Sequence, residues 1–255
     1  MWYNRVMGGA RDEGPKIRGI SLGCRIDAKL MQRYTASMRF RDRNDAARRL
    51  LPMIGVYARH RGIVLGIPRG GVPIAVEVAQ HLDWRVSALL VKKISHPENK
   101  EFAIGAVSLK GAYIDPLHTA IPKAYIDAEV TRQRSLLRDR MKKYGIEHID
   151  LHQQTVMIVD DGIATGNTMR YAVEVVRLEL PRCIVVVSPV ASMEAVRMLR
   201  PLVEDLIILH TPHNLGAIGE WYDTFEEVSD DDVVRALSVG LHHEHQSVGR
   251  ALRRR

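Results

Sequence analysis

Five short apolar runs constrain this chain more than any other feature: "IVLGI" (63–67), "VSALLV" (86–91), "VMIV" (156–159), "IVVVSPV" (184–190) and "LIIL" (206–209). They are rich in β-branched residues and do not alternate with polar ones. A strand with one wet face alternates, whereas a strand buried on both faces does not. The runs therefore read as parallel strands covered by helices on either side. Helical patterns fall between them. "RDRNDAARRLLPMIGVYARH" (41–60) comes first, and "VPIAVEVAQHL" (72–82) carries Pro73 near its first turn, where a missing N–H does no harm. "PKAYIDAEVTRQRSLLRDRMKKYG" (122–145) sets Ile126, Val130, Leu137, Met141 and Tyr144 on one face and stops at Gly145. Strand and helix in alternation predict an α/β fold with a doubly wound, mostly parallel sheet. The 255 residues suffice for one such domain with a full core.

Several classes fall away. No apolar run reaches the roughly 18 residues of a membrane span, and "MWYNRVMGGARDEGPKIRGI" at the start lacks the apolar stretch of a secretory signal. Two cysteines, Cys24 and Cys183, share no metal-ligand spacing and suit a reducing cytosol, so a cytoplasmic protein without membrane contact is expected. The net charge of +7 suggests nucleic acid until its location is counted. Residues 1–41 hold 9 Lys/Arg against 3 Asp/Glu, and residues 241–255 hold 4 against 1. That leaves 24 against 26 for 42–240, so the excess belongs to the two ends and the body offers no broad basic groove. The organisation expected is an extension over 1–36 without core periodicity, a domain over 37–240 and a basic tail over 241–255. The tail's "HHEH" (242–245) reads as a solvated end rather than a metal site.

The most informative stretch is "VMIVDDGIATGNTM" (156–169), an apolar strand that runs into two carboxylates and then a loop of small residues. In an open α/β sheet, ligands bind beyond the carboxyl ends of the strands, where Asp160 and Asp161 would stand. Loop amides, the hydroxyls of Thr165 and Thr168 and a helix N-terminus near Asn167 suit a phosphate. Two carboxylates beside a phosphate repel it unless something lies between them. A phosphorylated sugar does so, its hydroxyls donating to the aspartates while its phosphate lies in the loop. The Walker pattern fails because Asn167 follows Gly166, and no Gly-x-Gly-x-x-Gly is present.

"VMIVDDGIATGNT" resembles the 5-phosphoribosyl 1-diphosphate (PRPP) binding motif of type I phosphoribosyltransferases. The resemblance spans about residues 38–228 and is nearest to a group without an assigned substrate. It shares a lead helix like "FRDRNDAARRL", the "EFAIGAV" segment and a late "GEWYDTF". It implies a type I phosphoribosyltransferase-like sheet with a small hood. It further implies Asp160 and Asp161 on the ribose hydroxyls, and Ala164, Thr165, Gly166, Asn167 and Thr168 around the 5′-phosphate. Gly162 stands where many members carry a branched apolar residue, a departure expected to loosen the loop.

Two further stretches fall where the family needs them. "GIPRGGVPIA" (66–75) places Arg69, Gly70 and Gly71 after the first core strand. Glycines permit close backbone approach to a diphosphate and Arg69 supplies charge; taken alone the turn is more often an ordinary strand-to-helix connection, and its order relative to the aspartate pair reverses that preference. The family puts its diphosphate loop here, often with a cis peptide. In "LLVKKISHPENKEFAIGAVS" (89–108), Lys92 and Lys93 are read as ending a strand before a mobile polar loop, with Lys100 a weaker candidate. The resemblance makes Arg69, Lys92 and Lys93 the catalytic cations. A variable hood over 104–121 and 211–225 offers His213, Trp221 and Tyr222 as base-binding candidates, with core packing the alternative for the last two.

The implied activity is Mg²⁺-dependent pentosyl transfer from PRPP to a small nitrogenous acceptor such as a nucleobase, with release of diphosphate, as in nucleotide salvage. Mg²⁺ would be held mainly by substrate, near Asp160 and Asp161. A homodimer is expected. The rival reading is a regulator of the same fold that senses PRPP or nucleotides and binds nucleic acid. An enzyme needs both the diphosphate loop and the lysine loop, and the chain retains both. Because residues 1–36 carry no core pattern, a chain starting at Met38 is expected to melt within about 5 °C of the full chain, a margin of order 1 kcal/mol or slightly more for such a domain. Differential scanning calorimetry of the two forms checks this.

Overall fold

The computed structural model describes residues 39–118 and 120–240. The expectations for 1–36, Cys24 and the tail with its "HHEH" concern residues outside that span. Five strands form one parallel sheet: β1 (Gly62–Gly66), β2 (Arg85–Ala88), β6 (Thr155–Val159), β7 (Cys183–Val190) and β8 (Asp205–His210), in the order β2-β1-β6-β7-β8. Every neighbouring pair in it is parallel.

Successive residues of each strand feed opposite faces, as a period of two demands. Val64, Met157, Val159, Val185, Val187 and Ile207 face α1 (Arg43–Ile54), α2 (Gly71–Leu82) and a helix over 230–240 that contributes Val233 and Leu237. Ile63, Leu65, Val156, Ile158, Ile184 and Val186 face α4 (Asn167–Arg177) and α5 (Met193–Leu199). Both faces are dry, which is why the five runs do not alternate. Asp42 caps α1 by accepting from the Asp45 amide at 2.7 Å, and α1 gives way to a 3-10 turn at Gly55–Arg59.

Two boundaries differ from the sequence reading. β2 ends at Ala88, and Leu89 and Leu90 are buried where the chain crosses out of the sheet. An apolar run cannot distinguish a buried strand from a buried crossing. Lys92 and Lys93 consequently begin a strand rather than end one. β3 (Lys92–Ser95), β4 (Ala103–Val107) and β5 (Ala112–Ile114) make a separate three-stranded antiparallel sheet, which takes up part of the first hood segment expected, 104–121, and none of the second, 211–225. This sheet is pinned to α4 by the Tyr171 hydroxyl, which donates to the Ala103 carbonyl at 2.9 Å, and by an Arg170–Asp115 ion pair at 2.9 Å.

The long helix α3 (Lys123–Tyr144) ends at Gly145 with φ of 61°. Its buried face includes Glu129 and Gln133 besides Leu137 and Tyr144. Gln133 donates to Glu129 at 2.8 Å and Arg132 grips the same carboxylate, so this polar pair tolerates burial. The Arg132 and Gln133 hydrogen bonds hold the Glu129 carboxyl below the usual carboxylate range against the opposing effect of burial.

The strand order reverses between β1 and β6, and the loops leaving these two strands form the crevice of the sheet. Their approach leaves no room for side chains. A methyl group on Gly71 would stand 2.4 Å from the Val159 carbonyl oxygen and 2.9 Å from the Asp160 Cα. Gly71→Ala is therefore expected to destabilise by about 1–3 kcal/mol through overpacking, a fall of roughly 2–12 °C in melting temperature read by calorimetry.

Candidate active site

Arg69 follows β1 in a turn whose Pro68–Arg69 peptide is cis. The Ile67 amide donates to the Val159 carbonyl at 2.8 Å, and the Gly71 amide back to Ile67 at 3.0 Å. A Cβ on Gly70 would fall 1.9 Å from Asp161 Oδ2. The two glycines are thus required first by the aspartates opposite, whatever ligand later enters. The sequence suggested the diphosphate as the reason for them.

Asp161 lies against Arg43, the first residue of α1. The Arg43 Nε donates to Asp161 Oδ2 at 2.8 Å, and Nη2 stands 2.8 Å from the same oxygen. Both side chains are nearly enclosed, with 13% and 14% of their surface exposed. Asp160 keeps some accessible surface, yet its carboxyl sits deep in protein atoms and beside a second carboxylate. Burial first, and then the charge of Asp161, push the Asp160 carboxyl well above the usual range. One of two adjacent carboxyls is paired with a guanidinium while the other is driven toward its neutral form.

The following loop is tied down from below. Ile163 bridges to Ala191, and the Ser192 hydroxyl donates to the Ala164 carbonyl at 2.6 Å while accepting from the Ala195 amide. Gly166 adopts φ of 80° with Ala195 beneath it, and no side chain caps α4. Ala164, Thr165, Asn167 and Thr168 are exposed. The Asn167 amide meets Thr165 Oγ1 only at a long 3.5 Å, so the amides of this helix start, with hydroxyls beside them, can hold an anion. Gly162 does not loosen this loop, because a Cβ there would meet Ile218 Cγ2 at 2.3 Å. Ile218 occupies from across the site the space a branched residue at 162 would take.

Two clefts flank the 160–168 loop. One of about 450 Å³ is lined by Arg43, Arg69, Gly70, Asp161, Ile218, Phe225 and the segment that follows. The other, of about 640 Å³, brings Lys92 and Lys93 together with Asn167, Thr168, Arg170 and Phe102. The structure thus unites Arg69 with Asp161 but sets both lysines beside the 164–168 loop. Arg69 pairs with Glu227, and Lys93 lies 3.5 Å from Glu101. Lys100 donates to the Tyr125 hydroxyl at 3.2 Å.

Of the three base-binding candidates, His213 is exposed and lines neither of these clefts. Trp221 packs against His210 at 4.8 Å and donates its indole N–H to the Leu215 carbonyl at 2.7 Å. Tyr222 is only 2% exposed, and its hydroxyl donates to the Asp161 carbonyl at 2.6 Å. Trp221 and Tyr222 follow the packing alternative because the buried polar end of each finds a backbone acceptor inside. The ring that faces the first cleft is Phe225, stacked on Tyr222 at 4.8 Å with the Arg43 guanidinium 4.0 Å above it. Sequence reading missed Arg43, Ile218, Phe225 and Glu227. The only signals were the "FRDRNDAARRL" and "GEWYDTF" segments, which hold Arg43 and Phe225 and stand next to Ile218.

A parallel sheet with a crevice at its switch point, lined by an acidic pair and an uncapped helix start, defines an open, doubly wound α/β protein. The chain belongs to the phosphoribosyl transferase domain family, whose sequence model matches residues 43–205. It is 34% identical over 204 residues to a Mycobacterium tuberculosis H37Rv protein named "Putative phosphoribosyl transferase Rv0571c", a match covering 78% of this chain and 46% of the relative. The chain therefore spans about half the length of that relative. It also resembles the crystal structure of TT1426 from Thermus thermophilus, with a TM-score of 0.73 and 39% identity over 78% of this chain and 98% of that one. Among the described residues, no helix is long and apolar enough to cross a membrane.

The Tyr222 hydroxyl satisfies a carbonyl inside the site, so Tyr222→Phe leaves that acceptor unpaired. The expected cost is about 1–3 kcal/mol of stability. Urea denaturation with an unchanged m-value checks this.

Proposed function

We propose that the protein transfers the 5-phosphoribosyl group of PRPP to a ring nitrogen of a small nitrogenous acceptor, a nucleobase or similar heterocycle, with release of diphosphate. The observation that carries this reading is the acidic pair closing β6. It stands between an uncapped helix start on one side and Arg69 on the other, at the switch point of the sheet. The three together suit a sugar whose hydroxyls lie between two phosphate groups: carboxylates for the hydroxyls, a loop for the terminal phosphate and a cation for the second phosphate group.

In this mechanism the bond between C1 and the diphosphate oxygen breaks and its electron pair leaves with diphosphate. The acceptor nitrogen forms the new bond to C1 from the opposite face, and its proton passes to solvent. The aspartates fix the ribose through its hydroxyls and the 164–168 loop fixes the phosphate, so that C1 is held still between donor and acceptor. Arg69 exchanges Glu227 for the diphosphate and stabilises the charge that develops there. Lys92 and Lys93 reach the reaction from the second cleft when the 96–102 segment closes and excludes water. Phe225, with Tyr222 and the Arg43 guanidinium against its faces, offers its exposed edge to the acceptor ring.

Among the described residues, no group of three or more acidic, histidine or cysteine side chains forms a metal cage. Two oxygen ligands, one of them already held by Arg43, fit Mg²⁺ bound mainly through substrate oxygens and water. When bound it neutralises leaving-group charge, and Asp160 and Asp161 would be its protein-side ligands.

Calorimetric titration separates the parts. Asp161→Asn should weaken PRPP and ribose 5-phosphate about tenfold to a hundredfold, the worth of roughly 1.5–3 kcal/mol in charged hydrogen bonds. Arg69→Ala should weaken PRPP and inorganic diphosphate while leaving ribose 5-phosphate within about twofold of wild type. Ribose 5-phosphate bound equally well by Asp161→Asn would transfer the aspartates to a structural role and remove the main support for this reading.

A further inference from the structure

Arg43 stands where a cation is least welcome. It is the first residue of α1, at the positive end of the helix dipole, where carboxylates are favoured. Helix stability gives no reason for it, so the reason lies in what the side chain reaches.

The guanidinium is held on every side. Nε and Nη2 take Asp161 Oδ2, 118 residues away in the chain, and Nη1 donates to the Glu226 carbonyl at 2.8 Å. The guanidinium carbon lies over the Phe225 ring, 4.0 Å from its centroid. Phe225 itself stacks on Tyr222, whose hydroxyl returns to the Asp161 carbonyl. The result is a closed circuit: Asp161 side chain, Arg43, Phe225, Tyr222, Asp161 main chain. One half of it is the ribose carboxylate and the other half is the wall of the acceptor cleft.

We infer that Arg43 is a positioning residue that couples the ribose cradle to the acceptor wall. It fixes the direction of the Asp161 carboxylate and, through the same planar group, the height and tilt of the Phe225 ring and the path of the 225–227 segment. A lysine could balance the charge of Asp161, but it has neither the fork that takes a carboxylate and a carbonyl together nor the flat face that lies on a ring. The two subsites are thereby held at one spacing, which a transfer between two bound molecules requires. This inference rests on the proposed reading of Asp161 as a ribose ligand.

The test is a double-mutant cycle in the full chain with ribose 5-phosphate, a ligand that has no acceptor ring. Titrations are run on wild type, Arg43→Gln, Phe225→Leu, the double variant and Arg43→Lys, each with its melting temperature. Arg43→Gln should weaken ribose 5-phosphate about tenfold, the scale of a lost charge-assisted contact. Phe225→Leu should weaken it about threefold although the ring lies in the acceptor cleft. In the Arg43→Gln background, Phe225→Leu should change nothing further. Arg43→Lys should recover less than half of the loss in logarithmic terms.

Fully additive effects, or wild-type affinity in Arg43→Gln, overturn the coupling. Full recovery by lysine also overturns it, since only the charge would then matter. If wild type itself fails to bind ribose 5-phosphate, the cradle reading fails and this inference falls with it. Wild-type binding with unaffected variants sinks the coupling alone.

Discussion

The site depends on how closely the turn after β1 can approach the turn after β6. These two strands are neighbours in register, Gly66 beside Val159, and the chain leaves them toward opposite sides of the sheet. A crevice opens at such a point only if both turns are slim. Gly70 and Gly71 make the first turn slim enough to lie on the carboxylates of the second. Arg69 and Asp161, 92 positions apart in the sequence, then line one cleft. A side chain at either glycine would displace the arginine and the aspartate together.

The charges around that crevice fall into two kinds. The Arg43–Asp161 pair is nearly enclosed, and an enclosed pair cannot lose one partner without leaving an uncompensated charge. It belongs to the scaffold. Arg69 with Glu227 and Lys93 with Glu101 are different, since Glu227 keeps 82% and Glu101 95% of its side-chain surface in solvent. Exposed pairs contribute roughly 0–1 kcal/mol and are screened by salt, so an entering phosphate would displace them at small cost. On the proposed reading, the cations that would meet a diphosphate are those held by loose partners, and the cation that would orient a ribose ligand is held by a tight one. The same logic permits two adjacent aspartates, because Arg43 pairs with one and burial disfavours the charge of the other.

The points the sequence left open or misread each have a physical cause. Leu89 and Leu90 extended the apparent second strand because burial, not pairing, governs an apolar run. Gly162 suggested a loose loop because the residue that fills its space, Ile218, comes from a segment 56 positions on. Trp221 and Tyr222 drew attention as aromatic residues near the end of the domain. The deciding fact was where the N–H and O–H find acceptors, and both find them inside. Phe225 has no such polar end, and it alone of the three faces the cleft.

By itself the sequence determined the parallel sheet, the order of helices and strands, and the acidic pair followed by a small-residue loop at a strand end. These are encoded within windows of a few to two dozen residues, where hydrophobic period, β-branching, glycine and proline act through local sterics and burial. Only the tertiary structure decided which distant side chains complete the site. Arg43 meets Asp161 across 118 positions, Arg69 meets Glu227 across 158, and Tyr222 meets Asp161 across 61. An arginine in the first turn of a helix has the same local pattern whether it points to solvent or to a buried carboxylate. The packing of α1 against α2, β7 and β8 selects the second, and no local rule contains that packing.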